Sequence, residues 1–483
     1  MYEILESDLK KSLASDNPWW NNGSDPLTVG LRQRAYFKAF KTLSLNWEVN
    51  RSVILMGPRR VGKTVMLHQL IQHALEDGFS ADSILFASLD TPLYGGIAPY
   101  RLVEIFEELK PHDPHSRRLI IFDEIQYLKG WEVHLKNLTD RFPKTRFIAS
   151  GSAAAALRLK SNESGAGRFT DFFLPSLSFS EYLNFKNLEN DLIDQVETGS
   201  QYCYSAKDIE KLNHEFVHYL NYGNYPEAVL NQAIRKNPSR YLGRDLIDRI
   251  LLRDLPSLYG IENIQELNKL FTTIAYHSGK EFSLNGLASG SGVSTHTIKR
   301  YLEYLEAAFL IMRINRIDDD GTSFVRNRQF KLHLTSPSMR TALFSSLEGE
   351  DEAMGHMTET AIFSQWSHSD IAGKLHYAKW KKGRQFREVD LVIRASYSWG
   401  RLPVETTEIK WSDRFISRPA ELKGLIEFAQ RNCIADTPKV TVTSRTTSGN
   451  SQFKGVEIDF VPSAVFCYRL GRTRIRRLEA EVL

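Results

Sequence analysis

The sequence predicts an α/β protein of three domains, and three observations support this prediction. Its 483 residues suffice for about three domains of ordinary size. Between residues 51 and 183, short apolar runs alternate with longer amphipathic stretches, which is typical of a parallel sheet covered on both faces. A helical pattern then fills residues 202–316, and strands return after Asp318. The expected divisions are a lead-in segment over 1–30 and domains over 31–200, 201–335 and 336–483.

Composition excludes several classes of protein. Charged residues make up 25% and hydrophobic residues 42% of the chain, which excludes a disordered protein. No apolar run is long enough for a membrane helix, and the acidic N-terminus lacks the pattern of a secretory signal. Cys203, Cys433 and Cys467 lie far apart, without the spacing of a metal site or redox motif. A cytoplasmic protein without a membrane partner is therefore expected.

The elements follow from the apolar patterns in chain order. The first thirty residues are expected to be irregular, and residues 202–316 to be helical almost throughout. Strands are predicted at 52–56, 84–89, 119–122, 147–149, 330–334, 375–381, 388–393, 404–409, 440–443 and 456–460, and helices in the last third at 352–366 and 419–430.

A phosphate-binding loop is predicted directly after the first apolar run. Eight residues match G-x-x-x-x-G-K-T and stand between a predicted strand and a helical stretch over 65–76, the context that such a loop requires. Backbone N–H groups would wrap the phosphates, Lys63 would reach the β and γ phosphates, and the Thr64 hydroxyl would ligate Mg²⁺. ATP with Mg²⁺ is therefore the expected ligand. The predicted nucleotide-binding loop consists of Gly57, Pro58, Arg59, Arg60, Val61, Gly62, Lys63 and Thr64.

Polar residues end two further apolar strands of this domain. Asp123 follows the strand at 119–122 and is expected to hold the Mg²⁺ shell, with Glu124 placed to polarise the attacking water. The alternative is that both acids cap the next helix. Ser150 follows the strand at 147–149 and is expected to sense the γ-phosphate, although a helix N-cap formed by Ser150 or Ser152 would have the same sequence.

The order of these parts resembles that of the AAA+-type ATPases of the P-loop class. Later segments resemble a narrower bacterial and archaeal family, the AAA-type ATPases with a DUF4143 C-terminal region, over nearly the whole chain after residue 30. The resemblance implies ATP hydrolysis in a homo-oligomer, with Arg168 completing a neighbouring subunit's site. A surface or salt-bridged arginine is the alternative. The segments that carry the resemblance are 150–153, 167–169, 174–182, 222–228, 252–255 and 355–359.

A helix-turn-helix is predicted in the middle region. Residues 281–288 give a short helix, and a turn with Gly292 leads to Ser294, the N-cap of a second helix. With strands at 309–314 and 330–334 as a wing, the region is expected to be a winged helix. Because winged helices bind both DNA and proteins, both kinds of partner stay open. The residues expected to meet DNA are Thr295, His296, Lys299 and Arg300.

Acidic residues and one lysine predict a metal-dependent site in the last third. Glu408 and Lys410 are two residues apart in an alternating stretch and therefore share one face of a strand. A neighbouring strand that carries Asp390 would supply a second carboxylate, and such oxygen ligands suit Mg²⁺. Lys410 would orient a water or stabilise charge at phosphorus. With Glu359 on a preceding helix, the order resembles the PD-(D/E)xK nuclease core, in which Val389-Asp390 replaces Pro-Asp; a solvated strand face is the alternative.

These parts predict an AAA+-type P-loop ATPase domain, a helical winged-helix domain and a mixed α/β restriction-endonuclease-like domain. The expected function is a Mg²⁺-dependent ATPase coupled to a DNA-cleaving module, with defence against foreign DNA implied by domain analogy alone. The alternatives are a nucleotide-switched interaction protein with a silent nuclease-like fold, and a remodelling ring. The expected catalytic residues are Lys63, Glu124, Ser150, Arg168, Glu359, Asp390, Glu408 and Lys410, and the expected metal ligands are Thr64, Asp123, Asp390 and Glu408.

Overall fold

A computed structural model of the chain divides into two compact units, residues 1–175 with 475–483 and residues 176–474. The structure describes residues 5–111, 113, 116–151, 167–198, 201–321, 329–367, 372–397, 400–432 and 438–482. Ser152 and Cys433 therefore lie outside the described residues.

The first unit is built from parallel strands and the helices between them. Its helices are α1 Glu6–Asp16, α2 Trp19–Asn22, α3 Phe37–Ser44, α4 Lys63–Glu76, α5 Pro99–Leu109 and α6 Trp131–Arg141. Its strands are β1 Ser52–Met56, β2 Ile84–Ser88, β3 Arg118–Asp123, β4 Thr145–Gly151 and β5 Phe169–Phe173.

The five strands of this unit within the described residues form one sheet in the order β2-β3-β4-β1-β5, and every neighbouring pair is parallel. Residues of β1 alternate between its two faces. Val53 and Leu55 pack in the cluster of α3 and α4, whereas Ile54 and Met56 pack in the cluster of α5 and α6. The prediction of a parallel sheet covered on both faces is confirmed. The sequence patterns did not predict β5.

The first thirty residues are not the irregular segment that was expected, because α1 and α2 are ordered against the sheet. Leu9 and Leu13, four residues apart on α1, are buried in the cluster of α5 and α6. The Asn17 side chain accepts a hydrogen bond from Phe86 N–H at 2.7 Å and donates one to Phe86 O at 2.9 Å. These are the bonds that another strand would make, so Asn17 covers the edge strand β2.

The second unit begins with short helices and one hairpin. In the helices after the hairpin, Ser239–Asp248 and Ile250–Asp254 are wound as a π-helix. The elements up to residue 307 are α7 Phe179–Phe185, α8 Glu189–Leu192, β6 Ile193–Thr198, β7 Gln201–Ala206, α9 Ile209–Tyr222, α10 Pro226–Leu230, α11 Gln232–Lys236, α12 Leu255–Tyr259, α13 Ile264–Tyr276, β8 Glu281–Ser283, α14 Leu284–Ser291 and α15 Thr295–Ala307.

The expectation of helix almost throughout residues 202–316 is therefore wrong at β7 and β8. The antiparallel pair β6–β7 joins Val196 to Cys203 and Gln195 to Tyr204. Tyr, Val and Cys side chains suit a strand, and Tyr204 packs against the core of this unit. The prediction overlooked this propensity because helical patterns stand on both sides of the hairpin.

The remaining elements build a large mixed sheet. They are β9 Ile311–Ile317, β10 Gln329–Leu334, α16 Ser338–Leu343, α17 Met354–Ser364, β11 Leu375–Lys382, β12 Gln385–Tyr397, β13 Gly400–Glu408, α18 Arg414–Ser417, α19 Lys423–Asn432, β14 Lys439–Ser444, β15 Gly449–Phe453, β16 Val456–Pro462 and α20 Ser463–Val482.

One sheet joins the expected middle and C-terminal domains. Within the described residues its nine strands run in the order β15-β16-β14-β13-β12-β11-β9-β10-β8. The joint is β9, which pairs antiparallel with β10 and parallel with β11. The sheet thus continues across residue 335, and the domain boundaries drawn from the sequence stay predictions.

Candidate functional site

The predicted phosphate loop connects β1 to the first residue of α4, in the strand–loop–helix arrangement that the motif requires. The structure explains why both of these motif positions are glycine. A Cβ at Gly57 would lie 2.1 Å from Leu174 O, and Gly62 has a φ of 96°, in the left-handed region. The helix therefore starts directly at Lys63, with its N–H groups directed to the loop.

Lys63 is buried beneath this loop. Its Nζ donates to Gly57 O at 3.1 Å and to Pro58 O at 2.8 Å. A second buried cation, Arg34, braces the loop from outside the motif: its guanidinium donates to Val61 O at 2.6 Å and to Pro175 O at 2.9 Å. The sequence analysis missed Arg34, because it lies well upstream of the motif and no local pattern marks it.

Thr64, Asp123 and Ser150 come together at the carboxyl ends of three strands. Thr64 Oγ1 donates to Asp123 Oδ2 at 2.7 Å, and Ser150 Oγ donates to Asp123 Oδ1. The strand order explains this meeting, since β4 lies between β1 and β3 and brings Ser150 between the loop and the acid. Burial, together with the charge of Glu124, raises the pKa of Asp123. A nearby cation would offset that charge, as Mg²⁺ does in this class of site.

Glu124 stands at the end of β3 in a left-handed conformation, with a φ of 52°. Such a conformation costs a non-glycine residue about 1–3 kcal/mol, and residues of this kind cluster at functional sites. Its N–H donates to Ser150 Oγ at 3.2 Å, and its carboxylate accepts a hydrogen bond from Gln126 Nε2. Gln126, which the sequence analysis missed, therefore orients the expected catalytic carboxylate.

The arginines near this site have partners within the chain. Arg59 donates to Tyr127 OH at 3.0 Å. Arg168 directly precedes β5, and its carbonyl accepts from Ser52 N–H, so it lies at the amino end of the strands, whereas the loop follows their carboxyl end. Its guanidinium forms an ion pair with Asp140. This is the salt-bridged alternative that the sequence left open, and the role of Arg168 in a neighbouring subunit stays a prediction.

The acidic residues predicted in the last third form one cluster with two lysines in the second unit. β12 supplies Glu388 and Asp390, the end of β13 supplies Glu408, α17 supplies Glu359, and β10 supplies Lys331. Lys410 follows β13. We call these six residues the carboxylate–lysine cluster. The structure therefore brings together all four residues that the sequence predicted here, and it adds Lys331 and Glu388.

Lys410 joins the two predicted ligands. Its Nζ lies 2.9 Å from Asp390 Oδ2 and 2.8 Å from Glu408 Oε1. The expectation of one strand face for Glu408 and Lys410 is wrong in detail, because β13 ends at Glu408. The lysine is held in place by its own N–H, which donates to Thr443 Oγ1 at 2.7 Å on β14.

Lys331 holds the other half of the cluster. Its Nζ lies 2.9 Å from Glu359 Oε1, 2.9 Å from Glu388 Oε1 and 3.5 Å from Asp390 Oδ1. The sequence signal was the alternation around β10, which places Phe330 and Leu332 on one face and Lys331 on the other. That second face suggested solvent exposure, yet the Lys331 side chain is only 5% exposed.

The pKa values in the cluster reflect burial and crowding of charge. Burial raises the pKa of Glu359 to about 7 and that of Glu408 to about 7. Burial acts in the same direction on Asp390, but the charges of Lys410 and Lys331 outweigh it and hold the pKa of Asp390 below its usual range. Asp390 is thus kept as a carboxylate between two ammonium groups.

The carboxylate oxygens of Asp390 and Glu408 are of the type that Mg²⁺ prefers. Glu408 Oε2 is buried and has no hydrogen-bond partner among the described residues, so it is available to a cation. Within the part of the chain that the structure describes, no group of three or more His, Cys, Asp or Glu residues is arranged to hold a metal ion. The two lysines stand between the carboxylates instead. A cation at Asp390 and Glu408 stays a prediction, and the unpartnered Glu408 Oε2 is the observation that agrees with it.

Two consecutive helices, α14 and α15, cover the residues for which a helix-turn-helix was predicted, and that motif stays a prediction. Gly292, with a φ of 74°, ends α14, and Ser294 Oγ accepts from Thr297 N–H at 3.1 Å as the N-cap of α15. The four residues expected to meet DNA are exposed: Thr295, His296, Lys299 and Arg300. The two strands expected to form the wing are paired, although β9 covers residues 311–317 rather than 309–314.

Comparison with known proteins identifies two parts of the chain. Residues 49–183 match the family model of an AAA domain, and residues 213–351 match a domain of unknown function, DUF8612. The first match and the loop geometry agree, so the chain carries an AAA-type P-loop ATPase domain. The second match is a different model from the DUF4143 region that the resemblance implied. No helix among the described residues is long and apolar enough to cross a membrane.

Curated relatives match about half of this chain. It is 24% identical over 278 residues to an uncharacterized protein of Haemophilus influenzae, covering 56% of this chain and 64% of the relative. It is 27% and 24% identical over 272 residues to two uncharacterized proteins of Methanocaldococcus jannaschii, covering 55% and 54% of this chain and 57% and 56% of those relatives. The chain thus spans about three fifths of the length of these relatives.

Two solved structures show a remote likeness. A DNA replication initiation factor has 15% identity and a TM-score of 0.25, with 59% of this chain and 82% of that chain covered. C. elegans PCH-2 has 15% identity and a TM-score of 0.25, with 47% and 62% covered. A likeness this remote carries no argument about function.

Proposed function

We propose that this chain, whose residues 49–183 are an AAA-type ATPase domain, uses Mg²⁺-dependent ATP hydrolysis to control a module that binds and cleaves DNA. The observation that carries the second half of the proposal is the convergence of Asp390, Glu408 and Lys410, with Glu408 Oε2 buried and without a hydrogen-bond partner among the described residues. Defence against foreign DNA has no support in this geometry and is not part of the proposal.

At the nucleotide site, Lys63 exchanges its two carbonyl acceptors for oxygens of the β and γ phosphates. Thr64 and Asp123, already joined by a hydrogen bond, would hold the Mg²⁺ that accompanies ATP. Glu124 accepts the proton of the attacking water while Gln126 fixes its carboxylate. Ser150 contacts both Asp123 and the Glu124 N–H, and these contacts support a role in which it senses the γ-phosphate.

At the carboxylate–lysine cluster, Asp390 and Glu408 would hold one divalent cation, which supplies Lewis-acid stabilisation of a phosphodiester. Lys410 lies beside both carboxylates and donates to the charge that develops on phosphate oxygens. Glu359, on α17, is positioned by Lys331 and lines the same cluster. The cluster thus combines the cation ligands and the hydrogen-bond donor that phosphodiester cleavage requires.

Nucleic-acid binding is proposed for α15. The order α13, β8, α14, α15, β9, β10 is the order of a winged helix, and β8 pairs with β10 as a third strand. Lys299 and Arg300 are exposed on α15 and suit contacts with a phosphate backbone. Because β10 also carries Lys331, the same sheet positions both the binding helix and the cluster.

The test is DNA cleavage by the purified full-length protein with Mg²⁺ or Mn²⁺, with and without ATP. Asp390→Asn should abolish cleavage while leaving ATP hydrolysis intact, and Lys63→Ala should abolish hydrolysis and any ATP dependence of cleavage. Glu457→Gln, a change in an ion pair on β16, serves as the matched carboxylate control and should cleave normally. Cleavage that survives Asp390→Asn would show that another site, or a contaminant, cuts the DNA.

A second candidate is a nucleotide-switched interaction protein with a silent nuclease-like fold. The observation that favours it is the pairing of Asp390 with both lysines, which already neutralises this carboxylate. Absence of cleavage under every condition, with ATP hydrolysis intact, would select this candidate.

A further inference from the structure

Lys331 occupies a position of the kind that a metal ion takes in other carboxylate clusters. Three carboxylates from one strand and one helix, those of Glu359, Glu388 and Asp390, surround its Nζ at 2.9, 2.9 and 3.5 Å. The ammonium is almost completely buried. Three convergent carboxylates would repel one another strongly without a cation between them, and here the protein supplies that cation from its own chain.

We propose that Lys331 replaces a second divalent cation, so that the carboxylate–lysine cluster accepts only one divalent cation, held by Asp390 and Glu408. This inference rests on the proposed function of the cluster and specifies its cation requirement. Sites for phosphoryl chemistry with two metal ions place the ions about 4 Å apart on a shared carboxylate. In this chain the shared carboxylate is Asp390, which has Lys331 at Oδ1 and Lys410 and the Ile409 N–H at Oδ2.

The two lysines already balance part of the negative charge of the cluster. The ammonium groups of Lys331 and Lys410 each lie 2.8 or 2.9 Å from two carboxylate oxygens. A further divalent cation at the Lys331 position would bring positive charge next to a buried ammonium group. Burying unbalanced charge is costly, so this position excludes a second ion.

The free acceptor atoms also indicate a single divalent cation. Among the described residues of the cluster, Glu408 Oε2 is the buried carboxylate oxygen without a hydrogen-bond partner. The other oxygen of the same carboxylate, Oε1, lies 2.8 Å from Lys410 Nζ. Beside the Lys331 position, the fully buried His333 has its Nε2 3.7 Å from Glu359 Oε1.

Counting bound Mn²⁺ in nucleotide-free full-length protein tests the inference, because this measurement does not depend on cleavage. Mn²⁺ bound per chain is measured by calorimetry and by electron paramagnetic resonance of the free ion. Ions lost in the Asp390→Asn variant are assigned to the cluster. We expect one such ion in the wild type and two in Lys331→Met, in which the three-carboxylate position has lost its ammonium group.

The matched control is Lys379→Met, because Lys379 also contacts Glu388, at 3.5 Å, without entering the cluster. It should keep one ion. Lys331→Gln is measured alongside in case the methionine variant does not fold, and it should also bind two ions. One ion in both folded Lys331 variants, or two in the wild type, would overturn the inference and leave the proposed cation-dependent function standing. No cluster ion in the wild type would overturn both.

Discussion

Thr64 Oγ1 donates a hydrogen bond to Asp123 Oδ2 at 2.7 Å, so the phosphate loop and the acidic strand β3 are joined before any ligand is considered. The two side chains that should hold Mg²⁺ are thus fixed next to each other, and one of them directly follows Lys63 in the chain. Since Asp123 is buried with a raised pKa, we expect its negative charge to be most favourable when a cation is bound beside it.

We predict that Thr64→Val and Asp123→Asn lower Mg²⁺-dependent ATP hydrolysis by about 100-fold or more, because each removes one half of the cation site. Steady-state hydrolysis and Mg²⁺ titrations check this. Thr42→Val, on the exposed face of α3, is the matched control and should hydrolyse ATP at the wild-type rate. Wild-type rates in Asp123→Asn would show that Asp123 is not needed to hold the cation.

Glu124→Gln should bind ATP normally and hydrolyse it about 100-fold to 10,000-fold more slowly, the usual contribution of a general base. A fluorescent ATP analogue measures binding, and phosphate release measures turnover. Glu104→Gln, in an exposed ion pair on α5, provides the control. Turnover at the wild-type rate would show that another group activates the water.

A mixing experiment distinguishes two possible roles of Arg168. If it completes a neighbour's site, Lys63→Ala and Arg168→Ala should each be inactive alone and regain part of the ATPase activity when mixed, since each supplies what the other lacks. If Arg168 only pairs with Asp140, Asp140→Ala should reproduce the effect of Arg168→Ala, and mixing should restore nothing.

The cluster predicts a pH dependence of stability. Burial raises the pKa of Glu408 from 4.5 to about 7, so the folded state holds this proton more tightly than the unfolded state does. Its contribution to stability is complete below about pH 4.5 and is lost as the pH rises through about 7. Asp390, whose pKa is lowered, acts in the opposite direction and at lower pH.

We therefore expect the denaturant midpoint to fall less steeply with pH, between pH 5 and 8 and without divalent cations, in Glu408→Gln than in the wild type. Equal slopes of midpoint against pH would contradict this.

Gly57→Ala should destabilise the ATPase domain by several kcal/mol, because the added Cβ would meet Leu174 O at 2.1 Å, and a backbone atom cannot move aside cheaply. Thermal unfolding measures the effect. Gly355→Ala, on α17 with no atom within 4 Å of the added Cβ, should leave stability unchanged or raise it slightly.

Local patterns predicted the strand–loop–helix and the strand ends of the first unit, but not the tertiary pairings. Residues 57–64 and the ends of β3 and β4 were predictable because strand ends and a loop motif are written in consecutive residues. Arg34 contacts the loop from 27 residues away, and nothing in its own surroundings indicates this. Lys331 was missed because a lysine between apolar neighbours on a strand is usually exposed, and only the sheet brings Glu359 and Asp390 to it.

In the middle region, the apolar pattern predicts a helix but not how the helix is wound. Spacings of three and four residues recur among the buried side chains of this segment, as on the buried face of an ordinary α-helix. These side chains are Leu242, Leu246, Ile247, Ile250, Leu251 and Leu255. A helix was therefore predictable here, whereas its π-helical winding was not.

The position of β9 between β10 and β11 has a consequence for how the second unit opens. Main-chain hydrogen bonds join the nine strands from β8 to β15 into one sheet. We therefore expect the amide hydrogens of the helix-turn-helix region and of the carboxylate–lysine cluster to exchange with solvent in a single cooperative event. Expression of residues 1–335 or 336–483 alone would leave β9 or β11 as a bare edge, and such fragments should self-associate.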